Sequence, residues 1–324
     1  MFNVDLRGKN VIVTGANTGM GYVKAREMAK MGAKVTMACR SAERGKVALD
    51  KLRAEALKDP VDEGVPLRAD ITDVNVTVQV LDLGSFKSII DFCQRFKASG
   101  DRIDILVNNA AVMAIPNRQE TVDGLEMTVG VNHFGPHLLT RLLEPMMHDG
   151  GRIVFLSSLT HNRSPGEAKT FMSWDDINAE KPGAYSQWMS YGQSKLMNVF
   201  DAQEFSKRVA PRGINTYAVN PGIVNTDLMR HMTDTSFLSR LTRLLKPFHW
   251  FMFKTPLYGA STALKCALDP ALGAAELSGK YWSDNKETEP SSLASDPANA
   301  PRMWNITEEI TEAKLNKKID MLLV

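Results

Sequence analysis

The sequence predicts an α/β protein: a doubly wound, mostly parallel sheet of six or seven strands with helices on both faces. Three observations predict this fold. Short runs rich in β-branched residues end in small or polar residues, longer stretches of helical period lie between them, and a glycine-rich turn follows the first run. Continuous apolar strands that alternate with helices are typical of a parallel sheet covered on both faces. Because no linker-like stretch divides the chain, we expect one domain over residues 1–324.

The individual elements follow from the same patterns. Strands are predicted near residues 10–15, 33–39, 76–83, 103–109, 152–158 and 214–220, with a seventh near 279–284. Helices are predicted near residues 20–31, 41–57, 85–97, 121–147 and 184–209. Residues 58–75 and 159–183 are irregular and rich in turn formers. Loops of that length at the carboxyl edge of a parallel sheet are usually functional or disordered.

Composition and charge exclude several classes of protein. The net charge of +2 gives no electrostatic reason to expect a nucleic-acid partner. Cys39, Cys93 and Cys266 lie far apart, so we expect neither a disulfide framework nor a metal site. The N-terminal stretch MFNVDLRGKNVIVTGA contains no apolar run long enough for a signal peptide or a membrane span. These features predict a cytoplasmic protein.

The stretch TGANTGMG, residues 14–21, directly follows the first predicted strand. Gly15, Gly19 and Gly21 fall where the chain must turn sharply and let backbone amides approach a pyrophosphate, with the positive end of the next helix behind them. The alternative is an ordinary tight turn, but the strand before and the helix after favour dinucleotide binding. We therefore expect a Rossmann-type fold, with residues 1–150 mainly binding the dinucleotide and residues 151–324 carrying catalysis and substrate binding.

The residues at the end of the second predicted strand indicate which cofactor the protein prefers. An NAD enzyme is expected to place an acidic residue here for the ribose hydroxyls. This chain has Cys39, Arg40 and Ser41 instead. The planar fork of an arginine can pair with a 2′-phosphate, although a solvated arginine at a helix start is the alternative. The sequence thus favours NADP(H) over NAD(H).

The glycine spacing resembles that of the short-chain dehydrogenase/reductase family, and further motifs follow in the family's order. They are LDL at 81–83, VNNAA at 107–111, VNHFGPHLLT at 131–140, IVFLSS at 153–158, YGQSK at 191–195 and NPGIVNT at 220–226. Ala111 stands where the family turn has glycine. The later segments KTPLYGASTALKCAL and SGKYWSD resemble the retinol-dehydrogenase-like branch. The resemblance therefore covers nearly the whole chain.

This resemblance implies a set of cofactor-binding residues. They are Gly15, Asn17, Thr18, Gly19, Met20, Gly21, Arg40, Asp82, Leu83, Asn109, Ala110, Tyr191, Lys195, Pro221, Gly222, Val224 and Thr226. Within the set, Asp82 is expected to flank the adenine and Thr226 to reach the nicotinamide carboxamide. Lys195 is expected to hydrogen-bond the nicotinamide ribose.

The resemblance also implies a catalytic group of Asn132, Ser158, Tyr191 and Lys195. Four residues apart on a helix, Tyr191 and Lys195 share one face. A cation ~4 Å away at an effective dielectric of ~20 contributes about 4 kcal/mol, enough to lower a tyrosine pKa by roughly three units before desolvation opposes it. Ser158 would hold the substrate oxygen, with Ser157 as the alternative. Asn132 would link Lys195 to solvent through a water, or be a satisfied core amide.

The remaining histidines and the apolar loops are expected to be structural or to line the substrate site. His133, His137 and His161 belong to this group. Met172 and Trp174, in the irregular stretch before the predicted fifth helix, are either pocket walls or loop anchors, as is Phe171. The apolar stretch within residues 228–256 is a lid over the substrate, a basic amphipathic patch on a membrane surface, or a core or dimer contact.

Together these features predict reversible hydride transfer between NADP(H) and a hydrophobic aldehyde, ketone or alcohol resembling retinal, with Tyr191 as acid and base. Two alternatives stay open: a tetrapyrrole double-bond reductase of the protochlorophyllide type, and a catalytically silent NADP-binding sensor or interaction protein. Peripheral contact with an intracellular membrane is an option. Helices 121–147 and 184–209 could pair across a two-fold axis, so both a monomer and a homodimer remain open.

Overall fold

The computed structural model describes residues 4–56, 71–162, 172–222 and 255–323. Its strands are β1 Asn10–Thr14, β2 Lys34–Cys39, β3 Val76–Val80, β4 Ile103–Asn108, β5 Met147–Leu156, β6 Asn215–Asn220, β7 Tyr281–Ser283 and β8 Lys286–Glu287. Its α-helices are α1 Gly19–Lys30, α2 Ala42–Ala56, α3 Phe86–Ala98, α4 Met127–Val129, α5 Gly135–Leu143, α6 Gln187–Val209, α7 Pro256–Leu268, α8 Ser292–Ser295 and α9 Asn299–Leu315. The π-helical turn Gly130–Phe134 joins α4 to α5.

These strands form one sheet in the order β3-β2-β1-β4-β5-β6-β7-β8. Every pair is parallel except β7 with β8. The strand order reverses between β1 and β4, and ligands of such sheets bind in the crevice outside the carboxyl ends at that point. The predicted doubly wound fold is confirmed. The predicted count of six or seven strands misses β8, whose two residues are too short to give a periodic signal.

Two apolar cores lie on opposite faces of the sheet. One packs β-strand side chains against α3, α5, α6 and α9, with Phe92, Leu138 and Phe200 almost fully buried. The other packs the opposite face against α1, α2 and α7. Burial of both faces explains why the central strands read as unbroken apolar runs. Among the described helices, none is both long and apolar enough to cross a lipid bilayer.

The helix predicted over residues 121–147 is shorter in the structure. Residues before α4 form a tight turn closed by a bridge between Glu120 and Glu126. The buried Glu126 carboxylate then caps the helix, accepting hydrogen bonds from the amides of Thr128 and Val129. At the other end, Met147 already belongs to β5. The cap thus removes the first six residues of the predicted helix, whereas at the other end α5 ends at Leu143 and a 3-10 turn over Glu144–Met146 leads into the strand.

Candidate active site

A cleft of about 470 Å³ opens at the carboxyl ends of the strands, at the reversal of strand order. It is lined by eleven of the predicted cofactor-binding residues, namely Gly15, Asn17, Thr18, Gly19, Met20, Gly21, Arg40, Asp82, Leu83, Asn109 and Ala110. These residues come from four separate loops. The topology therefore brings together side chains that are up to 95 positions apart in the chain.

The glycine loop has the backbone conformation that its sequence predicts. Gly15 and Gly19 have φ angles of +65° and +56°, a region that favours glycine. Gly21 has no such constraint, but a Cβ atom there would lie 2.4 Å from the Gly15 carbonyl oxygen. The first turn of α1 contains no acidic residue, so its amides and the helix dipole favour an anion. The loop fits a pyrophosphate in shape and in charge.

Asn109 joins this loop to the end of β4. Its side-chain nitrogen donates to the Thr14 carbonyl oxygen at 2.8 Å, and its backbone amide donates to the Thr14 hydroxyl at 2.9 Å. Its side-chain oxygen accepts a 2.7 Å hydrogen bond from Lys24 Nζ. Lys24 is fully buried on α1, and burial together with the nearby charge of Lys195 lowers its pKa to about 7. Sequence reasoning missed Lys24, and the only signal was a lysine on the core-facing side of a helix.

The cationic side of the cleft lies at the end of β2. Burial raises the pKa of the Cys39 thiol to about 11, while the amides of Ala16 and Asn17 hydrogen-bond the sulfur and oppose the rise. This contact places the exposed Arg40 beside the glycine loop. Arg44 also lines the cleft, and so does one carboxylate of the α2 helix, Glu43. Two guanidinium groups against that carboxylate leave the corner cationic.

Tyr191 and Lys195 lie on the buried face of α6, only 5% and 2% exposed. The Lys195 Nζ atom is 5.5 Å from the centre of the Tyr191 ring. It donates a 3.0 Å hydrogen bond to the carbonyl oxygen of Leu156, at the end of β5. The Tyr191 side chain is hydrogen-bonded to Ser158. A phenol, an ammonium and a hydroxyl thus meet at the carboxyl edge of the sheet.

The pKa of Tyr191 contradicts the expectation that Lys195 lowers it. Burial raises the Tyr191 pKa to about 12, opposed only by the hydrogen bond from Ser158. Burial also lowers the pKa of Lys195 to about 7, so the cation that would stabilise a phenolate is itself weakened. Desolvation outweighs the attraction of the nearby cation, and helical spacing cannot predict this because it reports proximity and not burial. In this environment the phenol keeps its proton throughout the neutral range.

The two serines after β5, Ser157 and Ser158, form hydrogen bonds with different partners. Ser157 is buried, and its hydroxyl donates to the Lys195 carbonyl oxygen at 2.8 Å, away from the phenol. Ser158 is half-buried and hydrogen-bonded to Tyr191. Its backbone is held by His161, whose Nδ1 donates to the Ser158 carbonyl oxygen at 2.7 Å while Nε2 accepts from the Ser291 amide at 3.0 Å. His161 is therefore a neutral positioning residue, a role that the sequence left open.

Asn132 lies in the π-helical turn and is fully buried. Its oxygen accepts from the Val112 amide at 2.7 Å, and its nitrogen donates to the Val112 carbonyl oxygen and to the Ser194 hydroxyl. Single π turns inside helices are frequent at functional sites. The Asn132 side chain thus connects Val112, which lines the cleft, to the turn of α6 between Tyr191 and Lys195. No direct hydrogen bond joins the side chains of Asn132 and Lys195, both of which are described.

The substrate side is described only in part. Met172 is buried in the core, and the Trp174 ring stacks on Phe200, so both act as loop anchors. Pro221 and Gly222 directly follow β6, with the Gly222 amide held by the Asn220 side chain. The other residues predicted for this side lie outside the described residues, namely Phe171, Val224, Thr226 and the apolar stretch within 228–254.

The chain is similar in sequence to known proteins. A family model described as short chain dehydrogenase matches residues 9–169. Human retinol dehydrogenase 12 is 40% identical over 310 residues, covering 95% of this chain and 88% of that protein. Retinol dehydrogenase 14 of Mus musculus is 36% identical over 305 residues, covering 94% and 86%.

A solved structure extends the likeness to three dimensions. The crystal structure of an uncharacterized protein from Mycobacterium paratuberculosis is 26% identical, covers 95% of both chains and superposes with a TM-score of 0.70. With the relatives above, this confirms the predicted resemblance over nearly the full length. The chain belongs to the short-chain dehydrogenase/reductase family of oxidoreductases, which act with a nicotinamide cofactor, and its matched relatives include retinol dehydrogenases.

Proposed function

We propose that the chain is an NADP(H)-dependent oxidoreductase that interconverts a hydrophobic aldehyde or ketone and its alcohol. The observation that carries the proposal is the buried Tyr191–Lys195 pair, with Ser158 on the phenol, beside a cleft built around a glycine loop. Phenol and hydroxyl together offer a proton donor and a second hydrogen bond to one substrate oxygen. Residues that only pack one helix against the core would not need a phenol, an amine and a hydroxyl at the same point.

The residues of the cleft fit a phosphorylated dinucleotide. The loop over residues 15–21 would hold the pyrophosphate, and Asp82 would flank the adenine. Arg40 and Arg44 would pair with a 2′-phosphate, which an acidic residue at the end of β2 would repel. Lys195 and Tyr191 would hold the nicotinamide ribose. When bound, the nicotinamide supplies or accepts the hydride.

The protein's own part in the reaction is to place and move one proton. In reduction, Ser158 holds the carbonyl oxygen while the Tyr191 hydroxyl donates its proton to that oxygen, as the carbonyl carbon gains the hydride. In oxidation, Tyr191 takes the proton back. Because the pKa of Tyr191 is raised to about 12, the proton-bearing form that reduction requires is present at neutral pH. The environment thus favours a proton donor, and oxidation calls for higher pH.

The substrate class rests on two supports. The matched relatives are named retinol dehydrogenases, and retinol is an apolar alcohol. The stretch LLKPFHWFMF, residues 244–253, is more apolar than a loop over a sugar site needs. We propose that residues 228–256 form a lid over an apolar substrate, and that residues 151–324 form the catalytic and substrate half. A peripheral membrane contact of a cytoplasmic protein would suit such a substrate.

A cofactor and substrate panel tests the proposal. Purified protein is mixed with NADPH or NADH and with retinal, a medium-chain aldehyde, an apolar ketone or glucose, and cofactor oxidation is followed at the nicotinamide absorbance. We expect turnover with NADPH and the apolar carbonyls, slower turnover with NADH, and none with glucose.

The panel also separates the alternatives. NADPH binding without oxidation of NADPH by any carbonyl would contradict the proposal and favour the sensor or the double-bond reductase. Faster turnover with NADH would contradict the role of Arg40 while leaving the reaction class intact.

A further inference from the structure

A second cluster of functional groups lies apart from the cleft, between three helices. His133 in the π turn, His137 on α5 and Asp201 on α6 offer one ligand atom each, all within 4.8 Å of one another. His137 Nδ1 lies 2.9 Å from one oxygen of the Asp201 carboxylate, and His133 Nδ1 lies 3.3 Å from the other. All three residues are buried, at most 2% exposed. Two imidazole nitrogens and a carboxylate thus face a common point.

The ring nitrogen of His137 that faces away from Asp201, Nε2, shows which atoms of the ring carry protons. His137 Nε2 lies 2.9 Å from the Glu308 carboxylate, which can only accept, so Nε2 bears a proton. In neutral His137 the lone pair is then on Nδ1 and faces an Asp201 oxygen at 2.9 Å. Two acceptors at that distance repel unless a proton or a metal ion lies between them. A protonated His137 would satisfy one Asp201 oxygen only.

A proton on His137 does not account for the contact between His133 and the second oxygen of Asp201. His133 Nδ1 and Asp201 Oδ2 are buried and lie 3.3 Å apart, but in the described part of the chain neither makes a hydrogen bond of ordinary geometry. His133 Nε2 is already engaged with the Thr307 hydroxyl at 2.9 Å. No lysine or arginine among the described residues pairs with Asp201. The two imidazoles are therefore the groups placed to offset the charge of this buried carboxylate, whether by a proton or by a metal ion.

The outer partners also match the surroundings of a metal site. Histidine ligands usually donate their second ring nitrogen to a carboxylate or another acceptor, which fixes the ring. Here Glu308 and Thr307, both on α9, take that place, and Arg141 holds Glu308 through a 2.9 Å hydrogen bond. The rings of Phe205 and Trp304 close an apolar wall around His137. Such a wall keeps water away from the ligands.

We propose that His133, His137 and Asp201 bind a zinc ion. A tetrahedral zinc with bonds of ~2.1 Å separates its ligand atoms by ~3.4 Å. The 3.3 Å contact of His133 with Asp201 matches this separation, and the 2.9 Å contact of His137 must widen by about 0.5 Å to admit the ion. A mixture of imidazole and carboxylate ligands suits zinc better than calcium or magnesium, which prefer oxygen alone. The site is structural and stands apart from the proton chemistry of Tyr191, whether or not the proposed reaction is correct.

The position of the site gives it a role in assembling the fold. Its ligands join the π turn and α5 to α6, and its outer partners bring α9 onto the same pair. A metal site was not expected from the wide spacing of the cysteines. No motif indicated this cluster either, because Asp201 is 64 residues from His137 and only the fold brings them together. Since α9 covers the ligands, the ion must bind before α9 docks or while it does. We therefore expect slow exchange of zinc in the folded protein.

Metal content and refolding test the proposal on the full chain. The protein is expressed in zinc-supplemented medium, freed of any affinity tag, dialysed against chelator and analysed by mass spectrometry for metals. We expect about one zinc ion per chain in the wild type. The content should be lost in Asp201→Asn and His137→Gln but kept in His148→Gln, which changes an exposed histidine outside the cluster.

A second measurement keeps the test independent of how the variants fold. Wild-type protein is unfolded in denaturant and refolded with zinc or with chelator, and the melting temperature is recorded. We expect a higher melting temperature with zinc, and a visible absorption band when cobalt replaces it. Wild-type protein that takes up no zinc and melts at the same temperature in both conditions would overturn the proposal. So would a zinc content unchanged in Asp201→Asn, since it would place the ion elsewhere.

Discussion

Two buried lysines lie at the candidate active site, in different surroundings. Lys24 on α1 donates to the side chain of Asn109, and Lys195 on α6 donates to the main chain of Leu156. Burial lowers the pKa of each to about 7. Lys195 lies 5.5 Å from a phenol ring, whereas the partner of Lys24 is an amide that holds the glycine loop. The same residue at the same burial therefore lies beside the proposed proton donor in one region and supports the glycine loop in the other.

Lys195→Met should have the largest effect. It removes the Lys195 amine beside Tyr191 and the proposed donor to the nicotinamide ribose. We therefore expect kcat with NADPH and retinal to fall about 10²–10⁴-fold, the range for loss of general acid–base assistance. Steady-state assays measure the fall, with circular dichroism to show that the fold persists. Near-normal kcat in a folded variant would remove the distinction between the two lysines.

Arg40→Ala tests the edge of the cofactor region, where the 2′-phosphate is proposed to bind. Loss of one charge-assisted contact to a 2′-phosphate should raise KM for NADPH about tenfold and leave KM for NADH unchanged. Arg53→Ala on α2 is the matched control, because Arg53 does not line the cleft. An equal rise for both cofactors would show that Arg40 does not select between them.

Lys24→Met should act on binding and leave chemistry intact. The change keeps the apolar stem but leaves the Asn109 oxygen without its donor, a loss of roughly 1 kcal/mol. We expect KM for NADPH to rise about fivefold with kcat within about twofold of wild type. A fall in kcat as large as that of Lys195→Met would mean that Lys24 takes part in proton transfer.

The pH dependence of stability should show the smallest effect. In the unfolded chain both lysines keep their protons to about pH 10, whereas in the folded chain they lose them near pH 7. Above pH 7 the unfolded state therefore binds more protons, and the free energy of unfolding rises with pH by roughly 1 kcal/mol per lysine between pH 7 and 8.

Urea unfolding of the protein without cofactor measures this rise. Lys24→Met should remove about half of the part that the two lysines contribute. A slope that is the same in the variant would contradict the lowered pKa of Lys24.

The sequence predicts the cofactor region of the site more fully than the catalytic region. A strand, a glycine turn and a helix are contiguous, so the loop over residues 15–21 and the place of Arg40 follow from local pattern alone. The contacts of Ser158, Tyr191 and Lys195 were predicted by resemblance. Their electrostatics were not, because burial depends on elements distant in the chain and no local pattern reports it.

Contacts between distant segments were beyond sequence reasoning. The bond between His161 and the Ser291 amide spans 130 residues, and that between His133 and Thr307 spans 174. Neither His161 nor Lys24 belongs to a motif from whose spacing its contacts could be predicted. The early start predicted for the helix at residue 121 failed for a related reason, since periodicity does not register a carboxylate such as Glu126 that ends a turn and caps a helix.

A single-turnover measurement on Tyr191→Phe tests the central claim most directly. Enzyme in excess is mixed with NADPH and retinal, and both cofactor binding and cofactor oxidation are followed by stopped flow. We predict that the variant binds NADPH about as well as wild type but oxidises it about 10²–10⁴-fold more slowly, because the proton donor is gone. Oxidation at the wild-type rate, with NADPH bound and the fold intact, would contradict the assignment of Tyr191 as acid and base.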